Sequence, residues 1–307
     1  MLFDEITTGN NGQCDLLLKG VQDLVAKNGQ PYQAFTCADT SGNVKKVQNF
    51  NKLLDTNMVK LPLVISANVR ADLYQNNKTF LLVEYKKGKL KVEDFQPKSQ
   101  VDPRSTWSAM IKLIKTIENE PLCKLVCEIL NKNKEKLKIM PLNTVAFNRV
   151  NGLMEATVKL MKLADLVSKE ITFLNRDVLV AASSIFYIGQ VYATNTEFEY
   201  TEEDVLLGPG VLTLQEIVKI EDKYKGEIDE TTLNLLKHLV ISRNKGHYCA
   251  VPEAVVLNHI DQILQETEEV NSILATLGDN GYVNRYYQQR SRLYKVPAEK
   301  EKENGKS

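Results

Sequence analysis

The three histidines of this 307-residue chain, His238, His247 and His259, together with Asp261, are one set of residues that could hold a metal. Imidazole and carboxylate together bind divalent cations, and a metal-bound water attacks phosphoesters because the cation lowers its pKa. A phosphohydrolase or exonuclease site built around His238, His259 and Asp261 is therefore one chemical reading. The opposing one is three histidines that lie at the surface or are satisfied in the core. His238 shares a helical face with Ser242, four residues on, and His259 stands two residues before Asp261. Cys123 and Cys127, also four apart on a helix, have no paired Cys or His at zinc-site spacing nearby and read as a buried apolar pair. Gly208-Pro209-Gly210 lacks the lysine and helix context of a phosphate-cradling loop, and no nucleophile elbow, zincin or dinucleotide fingerprint occurs. Neither a metal nor a cofactor is expected.

A second set suits binding. Tyr32, Phe35, Tyr74 and Phe80 are candidates to stack on bases, with Lys19, Lys27, Lys45, Lys46, Arg70 and Lys78 as phosphate contacts. Barrels of the OB type hold single strands in this way, by aromatic platforms on exposed strands with cations tracking the backbone. Alternation puts Tyr32 and Phe35 on opposite faces of a strand, so about half of the aromatics belong to the barrel core. KNGQPY is a binding loop or a plain hairpin turn, and KNKEKLK at 132–138 a phosphate contact or a solvated helix end.

Positioning these residues requires two kinds of element. From about Asp15 to Val92 the chain runs in short alternating segments punctuated by Asn28-Gly29, Ser41-Gly42 and KKGK, which predicts five strands and a small closed barrel. After QPKSQVDPRS the apolar spacing becomes helical: Trp107, Ile111, Ile114 and Ile117, then Leu122, Leu125, Val126 and Ile129, with Pro103 and Pro121 at helix starts. The expected class is α+β: an N-terminal OB-like β-barrel at 1–95 and a helical linker at 96–140. An all-α domain follows at 141–285, then a charged tail at 286–307.

Lys plus Arg and Asp plus Glu both number 39, so the whole-molecule field attracts neither nucleic acid nor anionic membrane, and any such binding must be local. No run reaches the ~18 apolar residues of a membrane span, and no leader pattern opens the chain; a cytoplasmic protein without membrane contact is expected. Five cysteines, an odd and sparse set, read as reduced thiols.

The order of segments resembles bacterial 3′-to-5′ exoribonucleases of the YhaM type, which join an OB-fold to an HD-domain phosphohydrolase. The resemblance covers most of the chain. Its stretches are LLLKGVQDLVAKNGQPYQAFTCADTSGNV, NGLMEATVKLMKLADLV, RDVLVAASSIFYIGQV, EDVLLGPGVLTLQEI, LLKHLVIS, EAVVLNHIDQIL and RSRLYKVP. It implies an HD-type helical domain, yet nearly every metal ligand of that site is replaced. The family's GGLxxHT-like motif stands as NGLMEAT, with Ala156 at the histidine. Its HDxGK core stands as FYIGQ, with Phe186 and Tyr187 at the His-Asp pair and Gln190 at the lysine. LLGH stands as LLGP with Pro209, and the SHHGK-like element as SRNKG with Arg243 and Asn244; of the metal set Asp261 alone is in register. One carboxylate cannot hold such a site.

The resemblance therefore implies a catalytically inactive homologue that keeps its scaffold as a single-stranded RNA- or DNA-binding or regulatory module. It also implies a homo-oligomer; a protein partner such as an active homologue or a polymerase is a further expectation. Degenerate enzyme copies are frequent in bacteriophage genomes, and a phage source fits. NRYYQQRSRLYK at 284–295 interleaves aromatic and basic residues; the family's related end favours a structural or oligomeric role for it over direct binding. The alternative remains an active metal-dependent 3′-to-5′ exonuclease or phosphohydrolase using His238, His259 and Asp261.

Overall fold

A computed structural model describes residues 1–26, 28–51, 53–55, 60–74, 77–97, 99, 101–143, 146–194, 200–243, 248–275, 281–287 and 291–295. The first domain is built from β1 (Asn11–Val25), β2 (Pro31–Ala38), β3 (Val44–Asn49), β4 (Leu63–Tyr74) and β5 (Asn77–Lys87). They close into a barrel in the order β1-β2-β3-β5-β4, antiparallel except for the β3-β5 pair, an OB-like arrangement. β1 closes it because its 15 residues are long enough to pair with β4 through Asn11–Leu18 and with β2 through Leu17–Val25. Alternate residues fill the interior, among them Leu16, Leu18, Phe35, Val47, Val69, Phe80 and Leu82. Phe3 and Ile6, on and beside a short 3-10 turn (Phe3–Glu5), join that core, and the Phe3 N–H donates to Asp39 Oδ2 at 3.0 Å.

The helical domain contains α1 (Pro103–Ile114), α2 (Glu120–Leu137), α3 (Gly152–Glu170), α4 (Arg176–Ile185), α5 (Gln190–Ala193), α6 (Glu202–Glu221), α7 (Glu230–Ile241) and α8 (Pro252–Leu274). Side-chain caps set several starts: Asp102 accepts from Ser105 N–H at 2.9 Å, Asn119 from Leu122 N–H at 3.0 Å and Asn175 from Val178 N–H at 3.1 Å. Pro103 and Pro121 fall in first turns, where a missing N–H costs nothing. The segment expected as a linker, 96–140, is no linker: Met110, Ile114, Leu122, Leu125, Val126 and Ile129 share one continuous core with α3, α4, α7 and α8.

The other boundary also moves. The all-helical region ends with α8, and β6 (Gly281–Tyr287) pairs antiparallel with β7 (Ser291–Lys295), so strands occupy both the end of the expected helical domain and the start of the expected tail. Among the described residues no helix is long and apolar enough to cross a membrane.

Candidate nucleic-acid interface and the filled helical site

In the helical domain, the sequence RDVLVAASSI gives α4 an apolar surface nearly all round, which sinks the helix into the core. The chain leaves α4 through Phe186 and Tyr187, which are 0% and 1% exposed; their rings meet edge to face, 5.4 Å between centroids and 68° between planes. Arg243, just past the end of α7, sets its guanidinium 5.1 Å from each ring centroid and donates from Nη1 to the Phe186 carbonyl at 2.9 Å. The Tyr187 hydroxyl donates to Asp261 Oδ1 on α8, and Gln265 Nε2 donates to the same oxygen at 2.7 Å. Burial first, and the Asp261 carboxylate second, hold the Tyr187 phenol well above its usual range, so it stays a neutral donor.

Two glycines make the surrounding approach feasible. A Cβ on Gly189 would lie 1.9 Å from the Pro209 carbonyl oxygen, so only glycine lets these backbones meet there. Gly208 adopts φ 74°, kinking α6 just before Pro209 restarts it. Ala156 is fully buried in the same core and Gln190 is buried beside Gly189. Of the positions where the resemblance expects ligands, the structure thus brings Phe186, Tyr187, Arg243 and Asp261 into one contact group, with no coordinating side chain among them except Asp261. Asn244 and His247 lie outside the described residues.

Among the described residues, His238 and His259 do not assemble into a metal site with Asp261. His238 Nε2 accepts from Ala250 N–H at 3.1 Å, and His259 is exposed. His259 and Asp261 are two apart on α8, a spacing that puts them on different faces. Among the described residues no group of three His, Cys, Asp or Glu side chains is arranged to hold a metal ion. Cys123 donates from Sγ to the Ile114 carbonyl at 3.5 Å, and burial, with Cys123 beside it, pushes the Cys127 thiol up to about 11. The Cys127 thiol stays protonated, and both cysteines pack against the core.

On the barrel, strand register sorts the candidates. Phe35 and Phe80 point inward and are core, which corrects their assignment as stacking residues: they pair across the sheets with Val47, another interior residue. Tyr32 is on the opposite phase of β2 and stacks on Phe50, 4.8 Å between centroids and 15° between planes. Both rings are half-buried on the outer surface. Phe50 was not among the sequence candidates; it follows β3 directly, and continuing the antiparallel register Gln33↔Asn49 places it opposite Tyr32. Lys46 projects from the outer face opposite Thr36, whose other neighbour is Gly20, and exposed Lys19 precedes Gly20 at a bulge in β1. Arg70 is exposed, two strands over, in the register row Ala34, Gln48, Leu81, Arg70, with Asp72 accepting from its Nε at 3.1 Å. Tyr74 is exposed at the end of β4. Lys78 is engaged elsewhere: its ammonium bonds the carbonyls of Phe3 and Asp4 at 3.3 and 3.5 Å and lies 5.6 Å from the Phe80 centroid, tying down the N-terminal turn. Lys27 lies outside the described residues.

The outer face of β1, β2 and β3 therefore carries the half-buried Tyr32–Phe50 stack and, four residues along the strands, the exposed Lys46 with Lys19 next to its row. No family model matches the chain, and no solved structure matches it.

Proposed function

We propose that this protein binds single-stranded nucleic acid on its OB-like barrel, and that its helical domain is a catalytically inactive relative of the HD part of the OB/HD exoribonucleases. The observation that carries the binding reading is the Tyr32–Phe50 stack on the outer face of β2 and β3, with Lys46 on the same face four residues farther along the strands, about 13 Å away, and Lys19 next to that row. An aromatic platform flanked by cations holds single strands with little sequence preference, since every base has a π-face and every nucleotide a phosphate. The inactive reading is supported by the contact group of Phe186, Tyr187, Arg243 and Asp261, which fills with rings and a guanidinium the positions where a metal pair would be expected. RNA and DNA both suit such a platform, and the proposed cargo is single-stranded nucleic acid.

The test is one gel experiment. End-labelled single-stranded RNA and DNA are incubated with the protein, with and without manganese, and run on native and denaturing gels. A retarded, intact strand is the expected result. Manganese-dependent shortening of the strand would overturn the inactive reading, and free strand at low salt would overturn the binding one.

A further inference from the structure

We propose that a cleft between α2, α5 and α6 binds a phosphate monoester, at a site that does not rest on the barrel reading. The cleft encloses about 360 Å3, and its lining includes Lys136, Tyr192, Glu203, Gln215, Glu216 and Lys219. A buried carboxylate organises it. Glu216 on α6, 1% exposed at its side chain, takes the Lys132 ammonium on Oε2 at 2.7 Å and the Lys219 ammonium on Oε1 at 2.6 Å. Tyr192 on α5 stands beside them, its hydroxyl donating to Asn133 Oδ1 at 2.8 Å. The Lys136 and Lys219 ammoniums lie 5.1 and 5.6 Å from the centroid of its ring. Burial, with the Glu216 carboxylate beside it, holds the Tyr192 phenol above its usual range, so the ring adds no charge.

Charge and donors select an anion. Lys132, Lys136 and Lys219 converge on one buried carboxylate whose two oxygens are both taken. Lys136 has no carboxylate partner among the described residues and donates to the Val191 carbonyl at a long 3.4 Å. An ammonium has three donors, and each of these three spends one, so two remain on each. Lys132 and Lys219 are about half exposed at their side chains and Lys136 is exposed, which leaves those donors open to a ligand. A tetrahedral dianion accepts several such bonds and gains more from the cations than a singly charged diester does. The exposed Glu203 also lines the cleft and opposes an anion, which limits the affinity. The enclosed volume suits a small phosphorylated molecule or the end of a strand more than the track of a long one. The cluster KNKEKLK is divided accordingly. Lys132 and Lys136, four apart, face the cleft, whereas Lys134 lies 4.8 Å from the Trp107 centroid and Lys138 pairs with Glu135 at 2.6 Å.

Isothermal titration calorimetry of the full chain with inorganic phosphate, uridine 5′-monophosphate and uridine tests the proposal. Saturable binding of the two phosphates at one site, and none of uridine, is the expected result; a protein that takes up neither phosphate sinks it. Lys136→Ala/Lys219→Ala should weaken both phosphates at least about tenfold, the share of one or two charge-assisted hydrogen bonds, with melting curves to establish that the fold is retained. Lys134→Ala/Lys138→Ala, from the same cluster but engaged elsewhere, should stay within about twofold of the parent. Equal losses in the two variants would mean a diffuse attraction in place of a site, and the proposal would fall. Glu203→Gln removes the opposing charge and should tighten inorganic phosphate about two- to threefold, a gain that misfolding cannot mimic. Unchanged affinity there would place the phosphate outside this cleft and overturn the proposal. Oligouridylate with a 5′-phosphate, compared with the same strand ending in a 5′-hydroxyl, separates the two sources of a monoester. A gain from the 5′-phosphate that disappears in Lys136→Ala/Lys219→Ala makes the occupant a strand end; equal affinities, with the monophosphate still bound, make it a free phosphorylated molecule. Tyr32→Ala/Phe50→Ala should bind the monophosphate like the parent, so the barrel reading and this one fail separately.

Discussion

The two domains treat their conspicuous aromatic residues in opposite ways. Phe186 and Tyr187 are sealed in the helical core under Arg243 and over Asp261, whereas Tyr32 and Phe50 lie stacked on the outside of the barrel. The difference follows from what each place demands. A core is packed as densely as an organic crystal, so a position that carries no metal or water must be filled by side chains, or its lining loses its dispersion contacts. A binding face has only to keep a flat ring accessible and a cation near. On the proposed reading, the helical half has become scaffold and the barrel retains the work.

The largest effect should come from emptying the filled site. Tyr187→Ala removes a fully buried ring and takes a donor from Asp261, and should destabilise the protein by about 3–5 kcal/mol in chemical denaturation. Tyr187→Phe keeps the ring and should cost only about 1–2 kcal/mol, because Gln265 continues to satisfy Asp261. A Tyr187→Ala protein within about 1 kcal/mol of the parent would show that the ring is not structural.

Next comes an acid sensitivity located in the helical domain. Glu155 on α3 is 9% exposed at its side chain and receives Arg149 in a two-point contact at 2.9 and 3.0 Å, Lys159 at 2.9 Å and Ser99 Oγ at 2.9 Å. Burial pushes this carboxyl upward, but the bonds from Arg149, Lys159 and Ser99 outweigh it and hold the group at about 2, against an ordinary 4.5. A depressed folded-state pKa means that the unfolded chain takes up the proton first. The stabilisation is therefore complete above about pH 4.5 and is lost as the pH falls toward 2, amounting to roughly 3 kcal/mol at neutral pH. Unfolding free energy measured from pH 7 to 3 should fall for the parent and be flatter for Glu155→Gln, which should also be less stable at pH 7. Equal slopes for the two would remove Glu155 from the account.

How much of this was legible in the sequence depended on whether the deciding contact was local. The strands could be read because alternation, Asn28-Gly29 and Ser41-Gly42 are local signals, and α1 and α2 because Pro103 and Pro121 mark first turns. Alternation put Tyr32 and Phe35 on opposite faces but could not say which face was inside; that is settled by Val47 and the closure of the barrel. Phe50 was invisible because its importance rests on the register between β2 and β3. Residues 103–137 passed for linker helices because an amphipathic pattern does not name the partner of its apolar face. The β6-β7 pair was missed since NRYYQQRSRLYK has no apolar alternation to announce strands. Arg243 and Phe186 meet across 57 residues of sequence, a distance over which no spacing rule operates.

Removing the barrel platform should be smaller in energy yet decisive for function. Tyr32→Ala/Phe50→Ala should weaken single-strand binding by about 1–3 kcal/mol, the range for one stacked base, in anisotropy titrations. The same titration with Phe35→Leu, an interior change, should show little loss of affinity while lowering the melting temperature. Equal losses of affinity would mean that the platform acts through barrel stability and not by contact.

The smallest and sharpest distinction lies between two lysines. Lys46 is exposed on the outer face, opposite Thr36, with its ammonium available to a phosphate. The Lys78 ammonium already bonds the Phe3 and Asp4 carbonyls. Lys46→Ala should therefore weaken binding uniformly across sequences and reduce the salt slope by about 0.7, the share of one phosphate contact on a single strand, with the melting temperature unchanged. Lys78→Ala should do the reverse: the salt slope stays as in the parent, and stability falls by about 0.5–1.5 kcal/mol as the N-terminal turn loses its tie. A salt slope that moved with Lys78 and not with Lys46 would place the strand around the barrel's N-terminal turn, and the outer face of β2 and β3 would no longer be the path.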